Sequence, residues 1–345
     1  MRIAQVAPLI FPVPPVDHGG TERVVHDLTR GLVANGHEVT LFAADGSHGG
    51  TRTMAQGPPV ASVANAPPSL PSAMECVMLD RVAAMADAFD IVHCHTELYH
   101  AAVLRAHAHK LVTTIHWRAD EADRVRYFDH FQRLAVVAIS KAQAATLPAS
   151  NRAGIVHHGI PGERLRPGDG AGGHCAFLGR MTDQKRPDLA IRIARACDMP
   201  ILLGGTVDVG NPGYFRHHVE PLLGQGARYV GPVDDAGKQA LLGAAAVLLF
   251  PIDWPEPFGL VMIEAMACGT PVVAFRNGST PEIVEEGLTG FVVDDLPQAI
   301  EATKAARELD RAKVRARFEA RFEAGRMVAG YETIYRERIA AAGRA

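Results

Sequence analysis

Short apolar runs alternate with stretches of helical period along this chain. Arg2 to Ala7 is the first run, too short for a helix and followed by the proline-rich loop LIFPVPPVDHGG, so it predicts a buried strand. A helix is expected from Thr21, with Thr21 as cap and Glu22 in its first turn. Val24, Val25, Leu28, Leu32 and Val33 form its apolar face, Gly36 ends it, and Glu38 to Phe42 makes the next strand. Gly46 to Pro71 has little periodicity and reads as a loop with room for one strand. Met74 to Phe89 is helical, DIVHC (Asp90 to Cys94) a strand, Leu98 to Ala108 a helix and LVTTI (Leu111 to Ile115) a strand that ends at His116. Arg118 to Phe131 is charged and aromatic and reads as loop and helix. Ala135 to Ser140 and Ile155 to Pro161 are the last strands of this half.

The stretch from Gly162 to Gly173 is rich in glycine and places a domain boundary at 165/166. The second half reopens with a strand at Cys175 to Gly179, a loop RMTDQKR, and a helix from Pro187 to Cys197 with proline in its first turn. Strands follow at Ile201 to Gly205, Ala227 to Val230 and Ala244 to Phe250. Beyond Val293 the pattern is helical and charged, ending in a helix over Ala329 to Ile339. Strands alternating with helices give an α/β protein of two doubly wound, Rossmann-like domains, 1–165 and 166–328.

Composition narrows the function classes. A net charge of −3 leaves no electrostatic footprint for nucleic acid. Five cysteines, an odd number without a Cys-x-x-Cys pair, argue against a disulfide framework and for a reducing, cytoplasmic setting. No apolar run reaches the ~18 residues that span a bilayer, and the proline-crowded N-terminus reads as a strand, not a leader.

The most informative stretch is PEPFGLVMIEAMACGTP, Pro255 to Pro271. Pro255 and Pro257 hold Glu256 in a turn. A helix is expected over Phe258 to Ala267, stopped by Gly269 and Pro271. Glu264 then projects roughly 80° round and about 12 Å along the axis from Glu256. Between them lie the helix's first N–H groups, those of Phe258, Gly259 and Leu260, a ready anion site. Carboxylates at both ends of such a site suit a ligand with hydroxyls at its ends and phosphate in the middle, as in a nucleotide sugar. Two glutamates at a helix start also complement the macrodipole with no ligand at all. Arg180 and Lys185, at the carboxyl end of the 175–179 strand, form a fork and a point charge suited to a diphosphate. They also suit a solvated loop. Gly19 and Gly20, at the mouth of the first helix, would let backbone approach a phosphate closely, as turn glycines also do. His93 and His95 share one strand face and leave a metal pair open as an alternative.

PEPFGLVMIEAMACGTPVVAF with NGSTPEIVEEGLTGFVV resembles the donor-binding segment of the retaining glycosyltransferases of family 4, which have the GT-B fold. FLGRMTDQKRPDLAI, the Gly-Gly-Thr-Glu loop, TTIHW, IVHHGIP and the terminal YETIYRERI are similar to other segments of the same family. The resemblance implies two domains facing a cleft, with a terminal helix over 329–345 returning to the first. It implies that Arg180, Lys185 and the N–H groups of Phe258 to Leu260 take the diphosphate of a nucleotide-sugar donor. Glu264 would bind the ribose, Glu256 and His116 would meet the sugar, and Gly20 would tighten on phosphate. Gly278-Ser279 departs from the family, which often has two glycines there, and puts a side chain near the sugar pocket. No Asp-x-Asp occurs, so activity without a metal is expected, from a nucleotide sugar to a small-molecule, lipid-linked or saccharide acceptor. The acceptor face, roughly Pro8 to His18 and Trp117 to Phe131, matches no readable pattern. A sugar-nucleotide isomerase, a zinc hydrolase using His93 and His95, and a non-catalytic nucleotide-sugar sensor are the rival readings.

Overall fold

The computed structural model describes residues 1–16 and 19–343, so Asp17 and His18 of the expected acceptor loop, and the last two residues of the expected terminal helix, lie outside it. The chain divides into two compact units, Met1–Gly159 with Ala324–Ala345, and Ile160–Glu323.

In the first domain the apolar runs become β1 (Arg2–Val6), β2 (Glu38–Ala43), β3 (Arg52–Ala55), β4 (Ile91–Cys94), β5 (Leu111–Thr114), β6 (Val136–Ala138) and β7 (Arg152–Ile155). Every pairing is parallel, in the order β3-β2-β1-β4-β5-β6-β7. β4 and β5 are buried at every position, as strands covered on both faces must be. The order reverses between β1 and β4, and ligands of such sheets bind beyond the carboxyl ends at that reversal. The first helix, Gly20–Ala34, starts one residue earlier than expected, with Gly19 at φ 140° as its cap. Thr21 therefore lies inside the helix.

The C-terminal helix, Ala324–Ala342, packs on this same domain. It comes close at two glycines. A Cβ on Gly31 would lie 2.4 Å from Val328, and one on Gly154 would lie 2.8 Å from Ile334. Tyr331 and Tyr335 are fully buried, and Glu332 accepts from Asn35 at 2.8 Å and lies 3.0 Å from a ring nitrogen of His37.

The second domain holds β8 (Cys175–Leu178), β9 (Ile201–Gly204), β10 (Ala227–Gly231), β11 (Val247–Phe250), β12 (Val272–Phe275) and β13 (Gly290–Val293). They too are all parallel, ordered β10-β9-β8-β11-β12-β13, with the reversal between β8 and β11. The glycine-rich stretch expected as a linker is packed on this domain instead. Gly168 donates to Cys268 at 2.9 Å, and a Cβ on it would meet the Gly243 carbonyl at 2.1 Å. Ile160 already pairs with Phe322 at 3.0 Å, which explains why the division falls at 159/160 and not at 165/166. Arg311 holds this corner: its guanidinium donates to the carbonyls of Gly168, Ala245, Gly243 and Cys268 and to the Thr270 hydroxyl at 2.8–3.1 Å.

Histidines are unusually deep in the first domain. His93, His95, His100 and His158 are at most 4% exposed, and His116 is half-buried. Burial pushes His100 and His116 down to about 3, and holds His93, His95 and His158 well below the free value with neighbouring imidazoles adding to the effect. These rings fold neutral. Above pH ~6.5 they are neutral in the unfolded chain too and give no pH dependence. Below it only the unfolded chain takes up protons, so stability falls with acid, by about 1.4 kcal/mol for each of His100 and His116 one unit below that value. Denaturant unfolding followed at pH 7.5 and 5.5 should therefore show the first domain weaker at 5.5, with His100 and His116 contributing on the order of 3 kcal/mol and the raised carboxyls of Glu22 and Glu75 offsetting part of it. An unchanged midpoint would mean that these imidazoles are open to water.

Candidate active site

The second domain gathers its chemistry at the β8/β11 reversal. β11 ends at Phe250, and the chain turns through Trp254 to Glu256, whose carboxylate is almost wholly buried. Two donors converge on its Oε2: the Trp254 indole N–H at 2.7 Å and the Lys185 ammonium from the loop after β8. Lys185 also lies over the Phe250 and Trp254 rings, 5.5 and 5.1 Å from their centroids. A buried carboxylate needs such partners, since alone it would be expelled or neutralised. The Glu256 backbone is pinned as well. Ser279 N–H donates to its carbonyl at 2.9 Å, and a Cβ on Gly278 (φ 57°) would lie 2.2 Å from that oxygen.

The helix after this turn is Leu260–Ala267, two residues shorter at its start than expected. Gly259 adopts φ 81° as its cap, a conformation that suits glycine. Phe258 is therefore an anchor outside the helix: its ring is buried edge-on to Phe322 and its carbonyl accepts from the Ser279 hydroxyl at 2.8 Å. Ser279 is fully buried in making that bond, so its side chain braces the loop. The first-turn N–H groups belong to Leu260, Val261 and Met262, the last closing onto the Gly259 carbonyl at 3.0 Å. Glu264 is buried further along the helix, and Lys238 donates to its Oε1 at 2.6 Å. Arg180 follows β8 by two residues and is half-exposed, with Asp208 the nearest carboxylate at 3.8 Å.

So Lys185 and Glu256 form a direct ion pair, whereas Arg180 and Glu264 each sit beside a different partner. Lys238, Trp254 and Asp208 were not singled out in the sequence. Helical spacing places Lys238 on the Asp235–Gly243 helix but carries no sign that it faces Glu264.

In the first domain His116 follows β5, and its Nε2 lies 2.9 Å from His95 Nδ1. Its ring stacks on His158, centroids 5.2 Å apart. His93 and His95 also stand side by side, but both ring nitrogens of each meet side chains: Tyr335 and Thr114 for His93, Gln5 and His116 for His95. Among the described residues no group of three or more His, Cys, Asp or Glu is placed to hold a metal ion. The glycine corner is partly filled. A Cβ on Gly19 would lie 3.0 Å from Glu22 Oε2. Burial pushes the Glu22 carboxyl up to about 6, against the backbone N–H groups of Glu22 and Phe11 that it accepts. No helix among the described residues is long and apolar enough to cross a membrane.

Comparison with known proteins places both domains. Residues 18–164 match the model described as Glycosyltransferase Family 4, and 172–308 match Glycosyl transferases group 1. The D-inositol 3-phosphate glycosyltransferase of Mycobacterium tuberculosis H37Rv is 32% identical over 192 residues, which take in 50% of this chain and 38% of that protein. The chain thus spans well under half the length of the curated relatives it matches. AviGT4, a glycosyltransferase involved in avilamycin A biosynthesis, is similar in structure with a TM-score of 0.76 at 23% identity, over 99% of this chain and 98% of that one. Anabaena HepE in complex with UDP and glucose gives 0.75 at 18% identity, over 96% and 98%. At such identities the likeness shows the fold, which is the GT-B type of two Rossmann-like domains. The two family models between them take in most of the sequence, and the chain belongs to the glycosyltransferases of family 4.

Proposed function

We propose that this chain transfers a hexosyl unit from a UDP-sugar to an acceptor with retention of anomeric configuration and without a metal ion. The observation that carries the reading is the meeting of Lys185, Glu256 and the Leu260–Ala267 helix start at one strand-order reversal. An ammonium has three donors. Lys185 spends one on Glu256 and can offer others to a diphosphate without leaving its aromatic seat. Arg180 and the first-turn N–H groups complete an anion site on the second domain. Charge grows on the leaving diphosphate as the glycosidic bond breaks, so donors fixed there act most in the transition state. Glu256 orients the sugar hydroxyls and Glu264 takes the ribose; His116 is a sugar contact. The UDP and UDP-glucose held by Anabaena HepE support the choice of donor.

No Asp-x-Asp is present to hold a metal–diphosphate complex, and cations of the protein stand in its place. The acceptor is a small molecule, a lipid-linked compound or a saccharide. D-inositol 3-phosphate, in the name of the mycobacterial relatives, is the first to try.

Proton NMR of the product anomeric signal tests the reaction. The product should keep the donor's configuration, and the rate should survive dialysis against EDTA. An inverted product, or activity restored only by Mn²⁺ or Mg²⁺, refutes the corresponding part.

Arg180→Ala removes one charge-stabilising donor and should cost ~2.7–4 kcal/mol of barrier, about 10²- to 10³-fold in kcat. Wild-type turnover in that variant would put the diphosphate elsewhere.

Glu264→Gln keeps the side chain's shape beside Lys238 but loses its charge. Calorimetric titration with UDP should show binding weakened by ~1.5–3 kcal/mol, roughly 10- to 100-fold. Glu264→Ala should weaken it at least as much, and equal affinity in all three proteins would take ribose recognition away from this residue.

A further inference from the structure

A continuous chain of buried hydrogen bonds runs from the C-terminal helix to His116. Tyr331 OH meets Thr114 Oγ1 at 2.8 Å, and Thr114 meets His93 Nε2 at 2.8 Å. His93 Nδ1 meets Tyr335 OH at 2.7 Å, and Tyr335 accepts from the Gln5 amide nitrogen at 3.1 Å. Gln5 Oε1 meets His95 Nε2 at 2.8 Å, and His95 Nδ1 meets His116 Nε2 at 2.9 Å. Gln5, His93, Thr114, Tyr331 and Tyr335 are 0% exposed and His95 2%, so water does not substitute for a missing member.

Such a chain has a direction. An amide oxygen only accepts, so the His95 nitrogen facing Gln5 Oε1 carries the proton. A neutral imidazole has one N–H, so His95 Nδ1 is a lone pair. His116 Nε2 must then donate to it, which leaves His116 Nδ1 unprotonated. On the other side, Tyr335 accepts from Gln5, which leaves its one O–H proton for His93 Nδ1. His93 Nε2–H donates to Thr114, and Thr114 donates to Tyr331. Reversing the direction requires turning the Gln5 amide, exchanging the tautomers of His93, His95 and His116, and rotating three hydroxyls together.

We propose that Gln5, His95, Tyr335 and His93 are positioning residues that hold His116 in its Nε2–H tautomer, so that Nδ1 presents an acceptor for a sugar hydroxyl. The role at the sugar rests on the function proposed above; the tautomer does not. An acceptor-only nitrogen favours a ligand group that can donate, and a donor sugar deoxygenated at the contacted position loses that bond. The C-terminal helix thereby enters the reaction through Tyr335, without touching the substrate.

The test uses full-length protein labelled with ¹⁵N-histidine. Long-range ¹H–¹⁵N correlation, with the His116 signals assigned by their loss in His116→Asn, reads the proton on each nitrogen in the absence of donor. The expected wild-type result is a single Nε2–H tautomer between pH 5.5 and 8. Gln5→Met and Tyr335→Phe should each give a mixture at His116 and lower kcat about 3- to 30-fold while KM for the donor changes less than threefold. Should Tyr335→Phe fail to fold, Gln5→Met carries the comparison, with Thr114→Val as a cut at the far end. A wild-type mixture, a wild-type Nδ1–H tautomer, or a folded variant whose His116 stays wholly Nε2–H overturns the proposal. If no nucleotide sugar is turned over but the tautomers behave as expected, the functional reading fails and the relay stands.

Discussion

A nearly buried negative charge, that of Glu256, organises the second domain's candidate site. Taking a carboxylate out of water costs several kcal/mol unless cations and hydrogen bonds surround it. Here the compensation comes from both sides of the strand-order reversal: the lysine from the loop after β8 and the indole N–H from the loop after β11. The same pair ties the two loops together. The close approach of Gly278 and the Ser279 hydroxyl brace the backbone of the loop after β11 at Glu256 and Phe258. The position of Lys185 in this domain is thus set by keeping one carboxylate satisfied.

Much of this was readable because it is local. Alternating strand and helix patterns give two parallel α/β halves, and Glu256, Glu264, Arg180 and Lys185 lie in short segments that resemble those of the family; spacing alone leaves a solvated loop or a macrodipole role equally open. What escaped is what requires the fold. Lys238 meets Glu264 across 26 positions and Tyr335 meets His93 across 242, distances at which no periodicity speaks. The hydrophobicity of Phe258 suits a helix position, whereas the φ of Gly259 breaks the path and the helix begins at Leu260. The glycine-rich stretch at 162–173 looked like a tether. Its glycines instead let the backbone lie against Gly243 and under the Arg311 guanidinium.

His93 in β4 and His95 just beyond it show how spacing misleads. Two imidazoles on one strand face invite a metal, yet each of their nitrogens is engaged by a side chain. Burial depresses their basicity and so makes them usable as neutral, directional links. A charged ring in that position would have to donate from both nitrogens and would break the chain's single sense. The low basicity and the ordered network are therefore two aspects of the same enclosure.

The first domain is completed by a segment that lies beyond the entire second domain in sequence. Ribosomal synthesis proceeds from the N-terminus, and domains generally fold in the order in which they emerge. Here the partners of Gly31, Gly154, His93 and Gln5 leave the exit tunnel after residues 160–323 have done so. The second domain can reach its final state while the first still lacks Tyr331 and Tyr335. Until that segment emerges, the faces of the N-terminal domain that Val328, Tyr331, Ile334 and Tyr335 cover have no partner from the chain itself.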